Sequence, residues 1–179
     1  MKIIATINLN DAKSIQKAIN NVRAYRKEFR EKCRLFVEKL ADVGIKTGKA
    51  NTGQYGSLIT FDKEITPTAD GYKGVMFATS DPLEVVWGRY GQHSAEISPL
   101  LMAEFGSGWK AKVLDDVPGV GQGTFPGQTH AFDPHGWWYT DTDGVKHHSM
   151  GQEPTFPVHS AMVAMIMEME RVAQEVFNG

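Results

Sequence analysis

The sequence predicts an α+β fold: a long N-terminal helix or helix pair and a C-terminal helix packed on a small antiparallel sheet, with a long Gly/Pro-rich loop. Three observations predict it. Apolar residues recur every three or four positions in residues 11–50 and again in 153–179, the spacing of one helix face. β-prone stretches broken by turn residues fill residues 51–111. Residues 112–152 hold a run without periodicity followed by a hairpin signature. A chain of 179 residues buries about 70% of its unfolded surface as one domain, so residues 1–179 are read as a single unit.

Lys2 to Asn8 reads as a short strand, and Asn8, Asn10 and Asp11 then offer capping side chains. Ile15, Ile19, Val22, Tyr25, Phe29, Cys33, Phe36, Leu40 and Val43 mark one helical face. Asn20-Asn21 is a weak point that would divide this region into two helices, and Gly44, Gly48 and Gly53 are expected to end it. Ser57–Phe61, Tyr72–Thr79 and Leu83–Trp87 are predicted strands, with Pro67, Asp70-Gly71 and Asp81-Pro82 between them. Connections this short predict an antiparallel meander.

Ser98 to Gly108 reads SPLLMAEFGSG, a short helix with Ser98 as cap, Pro99 at its first position and Gly106 as stop. Glu104 falls in the last turn, where the helix dipole disfavours an acid, so a lysine or backbone donor is expected beside it. Residues 112–135 are the least periodic stretch, with four glycines between Gly119 and Gly127, and read either as a contact loop or as a segment that is mobile until it meets a partner. Trp137–Thr140 and Val145–His148 flank Asp143-Gly144, a hairpin signal. After Pro154 and Pro157, an apolar stripe of Val158, Met162, Met165, Ile166, Met169, Val172, Ala173 and Val176 predicts a helix from about Val158 to Phe177. Val163 and Met167 lie off that stripe, which suits a helix buried between subunits.

The composition excludes several classes. The single cysteine, Cys33, rules out an internal disulfide and a two-cysteine zinc site, and its place on the helix stripe predicts a buried thiol. No apolar run reaches the roughly 18 residues of a membrane span, and no signal-peptide core is visible, so no membrane role is expected and cytoplasmic synthesis is. The net charge of -2 conceals a division, because residues 11–50 carry 11 Lys+Arg and 5 Asp+Glu, whereas residues 51–179 carry 7 and 16. That asymmetry bears on partners and self-association.

No catalytic set emerges. GVGQGTFPG lacks the Lys-Ser/Thr of a phosphate loop and fails the G-x-G-x-x-G spacing at Thr124, so a surface loop is the better reading. His130, Asp133, His135, Asp141, His147 and His148 offer imidazole and carboxylate ligands, but their spacing fits no standard metal site. No G-x-S-x-G elbow and no nominated carboxylate pair occurs. Arg23, Arg26, Arg30 and Arg34 form a basic run on one helix side, where phosphate contact competes with a solvated face; a pI near 6.3 disfavours a dedicated nucleic-acid binder. No enzymatic activity, cofactor or metal is expected.

Taken in order, the basic N-terminal helix, the short strand region, LLMAEFGSG (Leu100–Gly108), the Gly/Pro-rich aromatic insertion and EPTFPVHSAM (Glu153–Met162) before a terminal amphipathic helix resemble one family. It is that of the neck or tail-completion proteins of long-tailed bacteriophages and prophages, also described as head-tail connector or minor capsid proteins. The middle segment is similar to the family's LxxEFGTG, with Ser107 in place of Thr, and Phe156-Pro157 reverses the commonest order of its Pro-Phe motif. The resemblance implies an α+β virion subunit, made in the host cytoplasm, that forms a homo-oligomeric ring at the head–tail junction. Its partners would be other neck or tail proteins, with DNA passing through the lumen unbound. The alternatives are another minor tail or tail-terminator protein, a metal-dependent enzyme or binding module using His130–His148, and nucleic-acid binding through Arg23–Arg34.

Residues nominated for assembly are Arg23, Arg26, Arg30 and Arg34 on the first helix, and Glu104 and Phe105 in the short one. Trp137, Trp138 and Phe156, with Met162, Met165 and Met169 on the last helix, complete the set. The basic segment and the acidic remainder are expected to meet between subunits or successive rings, so charge reversal at Arg26 and Arg30 should weaken assembly.

Overall fold

The computed structural model describes residues 11–111 and 133–178. The strand expected at Lys2–Asn8, most of the glycine-rich window and His130 lie outside them.

The first described element is a continuous helix, α1 (Ala12–Ala50), of 39 residues. At 1.5 Å per residue it is about 58 Å long. Asp11 caps it by accepting from the Lys13 amide at 3.0 Å. Asn20-Asn21 does not break it: both side chains are exposed, and Asn20 accepts from the Gln16 side chain one turn earlier at 3.0 Å, so nothing strains the backbone there. Gly44 and Gly48 do not end it either. Both are buried within α1, where the missing Cβ lets other elements close in. A Cβ at Gly48 would lie 2.4 Å from the Phe61 ring, and one at Gly44 would lie 2.8 Å from the sulfurs of Met76 and Met165. The helix stops at Asn51, whose side-chain amide donates to the Thr47 carbonyl at 2.8 Å.

Among the described residues three two-stranded antiparallel ladders follow. The first pairs β1 (Ile59–Pro67) with β2 (Tyr72–Ser80), from Ile59 opposite Ser80 to Pro67 opposite Tyr72. Its turn is closed by Thr68 and Gly71, with the Thr68 hydroxyl accepting from the Gly71 amide at 3.0 Å. The second pairs β3 (Leu83–Trp87) with β4 (His93–Ile97). The expected three-strand meander is therefore corrected: β3 pairs with a strand not foreseen, and not with β2. A two-residue hairpin turn needs positive φ, and Asp81-Pro82 supplies none, because proline locks φ negative. The third ladder, β5 (Trp137–Thr140) with β6 (Lys146–Ser149), forms around Asp143-Gly144 as predicted.

Between the second and third ladders lies α2 (Pro99–Phe105), with the Ser98 hydroxyl accepting from the Leu101 amide and Gly106 ending it. The last helix is α3 (Pro157–Asn178). Tyr55, Ile59, Phe61, Ile97, Met102 and Ala103 form the buried core, with Ile45, Met76 and Val158 packed against it. The fold is thus α+β, two long helices lying on small antiparallel ladders. No helix among the described residues is long and apolar enough to cross a membrane.

α3 runs antiparallel to α1. Met165 lies against Gly44, Glu175 pairs with Lys39, and the Phe177 ring sits 5.8 Å from Phe29 and 5.9 Å from Phe36. The buried face of α3 is Pro157, Ala161, Val172 and Val176. Burying Val172, 1% exposed, is worth about 2 kcal/mol. Cys33 is half-buried rather than buried.

Candidate assembly interface

The two segments that carry the family resemblance fold against each other. Glu104, in the last turn of α2, has the backbone donors its position called for: its carboxylate accepts from the amides of Val158 at 2.7 Å and His159 at 3.0 Å. An acid that one helix dipole disfavours therefore sits where the next dipole favours it, at the start of α3. The Ala103 carbonyl accepts from the amides of Thr155 and Phe156, and Ser107 and Gln152 exchange both backbone hydrogen bonds, at 2.9 and 3.0 Å. The Gln152 side-chain oxygen accepts from the Tyr55 hydroxyl at 2.7 Å and from the Gln54 amide at 2.9 Å. Lys110 and Glu153 add an ion pair at 3.6 Å. Phe105 and Phe156 are half-buried in this joint, Phe156 with φ of 53°. Sequence reasoning missed Gln152, because nothing about an isolated glutamine marks it as a hub.

Glu104→Ala leaves the first amides of α3 without acceptors. We expect it to lower stability by about 1–2 kcal/mol, with Glu104→Gln losing less, as read from urea denaturation midpoints. Equal losses in the two variants would contradict the capping role.

The nominated arginines divide into two groups. Arg34 is held by Glu31 at 3.2 Å and Glu38 at 2.9 Å, and the Glu31 hydrogen bond and the Glu38 charge raise its pKa. Arg30 donates to the Thr68 carbonyl at 3.3 Å, tying α1 to the turn of the first hairpin. Arg23 and Arg26 have no hydrogen bond or ion pair among the described residues. With Lys27, Arg30, Glu31 and Tyr72 they line an open concavity of about 280 Å³. Further along α1, Lys39 pairs with Glu175, and Asp42 receives Lys63 of β1 at 2.7 Å.

On α3 the apolar stripe is rotated from its predicted phase. Met165 is half-buried against Gly44, but Met162, Ile166 and Met169 are turned outward, with exposures of 47%, 61% and 46%. Val163 and Met167 join them, Met167 at 76%. The result is a helix face of five large apolar side chains open to solvent, an arrangement that marks contact surfaces. A helix apolar on more than one side does not reveal from periodicity alone which side is buried.

Trp137 packs its ring over Gly108, whereas Trp138 is exposed and faces the His148 ring at 4.8 Å. The histidines are occupied locally. His148 Nε2 lies 2.6 Å from the His135 carbonyl, His135 Nδ1 lies 3.2 Å from Asp133, and His147 stacks on Tyr139 across the ladder. Among the described residues no three His, Cys, Asp or Glu converge in a way that would hold a metal ion. His147 Nε2 lies 2.7 Å from the Asp141 carboxylate, which also accepts from the Val145 amide at 2.8 Å and the Asp143 amide at 3.0 Å. The His147 hydrogen bond, and then these amides, hold the Asp141 carboxyl below its ordinary value.

Because the folded pKa is the lower one, Asp141 stabilises the hairpin fully above the unfolded-state value and loses that contribution as pH falls through the folded one. Amide shifts of β5 and β6 should move in that acid range by NMR, and Asp141→Asn should remove the transition. Persistence of the transition in that variant would contradict the assignment.

No known family, characterised protein or solved structure matches the chain.

Proposed function

We propose that this protein is a virion structural subunit of a long-tailed phage, placed at the head–tail junction, that acts by assembling into a ring and not by catalysis. The observation that carries this reading is the outward apolar face of α3, Met162 to Met169, on a chain whose α1 also holds Arg23 and Arg26 without a hydrogen bond or ion pair among the described residues. A monomer has little use for five solvent-facing apolar side chains on one helix, whereas a ring subunit buries them. A head-to-tail ring needs two different surfaces on each copy, and the basic α1 and the apolar α3 face are different in that sense. The motif joint between α2 and α3 supports the reading by fixing how α3 leaves the body. The sequence resemblance described above supplies the place in the virion.

Native mass spectrometry and negative-stain electron microscopy of the purified chain test this. Closed rings are expected, and reversal of Arg23 and Arg26 to glutamate should weaken them and make them salt-sensitive. A strictly monomeric protein at micromolar concentration would overturn the proposal.

A further inference from the structure

Two like-charge clusters of opposite sign are left without counter-charges on this chain. The first is the basic concavity. Arg23, Arg26, Lys27 and Arg30 follow one another at i, i+3, i+4 and i+7 along α1, so cations neighbour cations from turn to turn, a spacing that destabilises a helix. Arg23, Arg26 and Lys27 are exposed and make no hydrogen bond or ion pair among the described residues. The acid in the concavity, Glu31, is engaged with Arg34. The opposite wall comes from the first hairpin, where Tyr72 lines the hollow and the Thr68 carbonyl holds Arg30, so the cations surround a shaped space and not a bare helix face.

The second cluster is acidic. On the second hairpin Glu84 stands directly opposite Glu96. Side chains so opposed have Cβ atoms about 5 Å apart, and like charges there destabilise a ladder. Both carboxylates are exposed, and neither has a hydrogen bond or ion pair among the described residues. Val86 and Ser94, the next pair on that face, bring no charge. Asp62 and Glu64 on β1 are the rival acidic pair, but Lys73 of β2 stands diagonal to Glu64 and supplies a cation there.

Within one copy no ion pair among the described residues joins the two clusters. Tyr72, beside the concavity, and Ser80 are the two ends of β2, about 26 Å apart. The acidic pair belongs to the Ser80 end, because the hydroxyl of Ser98, two residues past Glu96, lies 3.4 Å from the Ser80 hydroxyl. Each cluster lacks the charge that the other carries, and they stand at opposite ends of the first hairpin.

We propose that Glu84 and Glu96 of one copy enter the concavity of the next and meet Arg23, Arg26 and Lys27. One contact then relieves both like-charge repulsions. A second copy is favoured over a nucleic-acid backbone, because the chain carries the matching anion itself and its pI lies near 6.3. The contact joins two different surfaces, as a head-to-tail ring requires. This inference rests on the assembly reading above and names the acids that reading leaves unspecified.

Reciprocal charge reversal tests it. One variant carries Arg23→Glu, Arg26→Glu and Lys27→Glu; the other carries Glu84→Lys and Glu96→Lys. All five positions are exposed, and unchanged far-UV circular dichroism confirms folding. By native mass spectrometry each variant alone should assemble at least about tenfold more weakly than the unmodified chain. An equimolar mixture should regain assembly with the two kinds alternating, because every concavity then finds a pair of opposite sign. Glu96→Lys alone should weaken assembly yet leave the melting temperature of the dilute monomer unchanged or higher, since it sets a cation opposite Glu84; a lower melting temperature would count against the proposal. A mixture no more assembled than its parts, or a Glu84→Lys, Glu96→Lys variant that assembles like the unmodified chain, would overturn the docking while leaving ring assembly intact. So would retention of short duplex DNA that is lost on reversing Arg23, Arg26 and Lys27 with assembly unchanged, which would assign the concavity to phosphate. An unmodified chain that does not assemble would overturn both.

Discussion

Gly106→Ala should lower the unfolding free energy by about 4 kcal/mol, the largest loss expected from removing no side chain at all. Gly106 ends α2 with φ of 72° and ψ of -162°, a region open essentially to glycine, and alanine there is strained by about 1–3 kcal/mol. The new Cβ would also lie 2.3 Å from the Gln152 carbonyl oxygen and 2.9 Å from the Pro154 nitrogen. Both are backbone atoms and cannot swing aside as a side chain would. Relief requires parting the Ser107–Gln152 bridge, whose two hydrogen bonds are worth about 1 kcal/mol each. Parting it draws Glu104 away from the start of α3, so the measured loss reports on the whole joint. Urea denaturation with an unchanged slope would isolate the effect, and a loss below about 1 kcal/mol would contradict it.

Gly48→Leu should lower stability by about 3 kcal/mol, because its side chain must enter space held by the Phe61 ring. The alanine variants separate the causes. At Gly48 the added Cβ meets three atoms of that ring, two of them closer than 2.8 Å, so the overlap outweighs the helix-propensity gain of about 1 kcal/mol and Gly48→Ala is destabilising by about 1 kcal/mol. At Gly44 the close atoms are the sulfurs of Met76 and Met165, which rotate away easily. Gly44→Ala should therefore leave stability unchanged or raise it by up to about 1 kcal/mol. Thermal melts of the three variants check this. Equal losses at Gly44 and Gly48 would mean that the glycines admit something other than a rigid ring.

Much of the fold was legible because its elements depend on local spacing. The Ile15–Val43 stripe, the Ser98 and Gly106 punctuation of α2 and the Asp143-Gly144 hairpin are readable without knowing what packs on them. What was not legible depended on contacts distant in the chain. Gly44 and Gly48 look like stop signals until Phe61 and Met165 are placed against them. His93–Ile97 is too polar to stand out as a strand, and the shortness of Asp81-Pro82 points to an antiparallel β2–β3 pair unless the negative φ of proline is set against it. For the candidate interface, the basic run and the surplus of methionine on the last helix were visible. Which methionines face outward was not, since Ala161 and Val172 take the buried side while Ile166 is left in solvent. The backbone donors expected near Glu104 were foreseen in kind, but their source, the start of α3, was set by tertiary structure alone.

The pairing of α1 with α3 also has a consequence for the newborn chain. Lys39 and Glu175, which meet across the two helices, are 136 residues apart. At roughly 5–20 residues per second, the ribosome makes the second partner some 7–27 s after the first. Throughout that interval Phe29, Phe36 and Leu40 have no α3 to cover them. A lone helix of this kind is kept from aggregating mainly by its charge, and the 11 Lys+Arg of residues 11–50 serve that purpose before they serve any other. Closure of the helix pair is thus a late event of synthesis. Until it happens the open seam is available to chaperones and to the seams of neighbouring nascent chains.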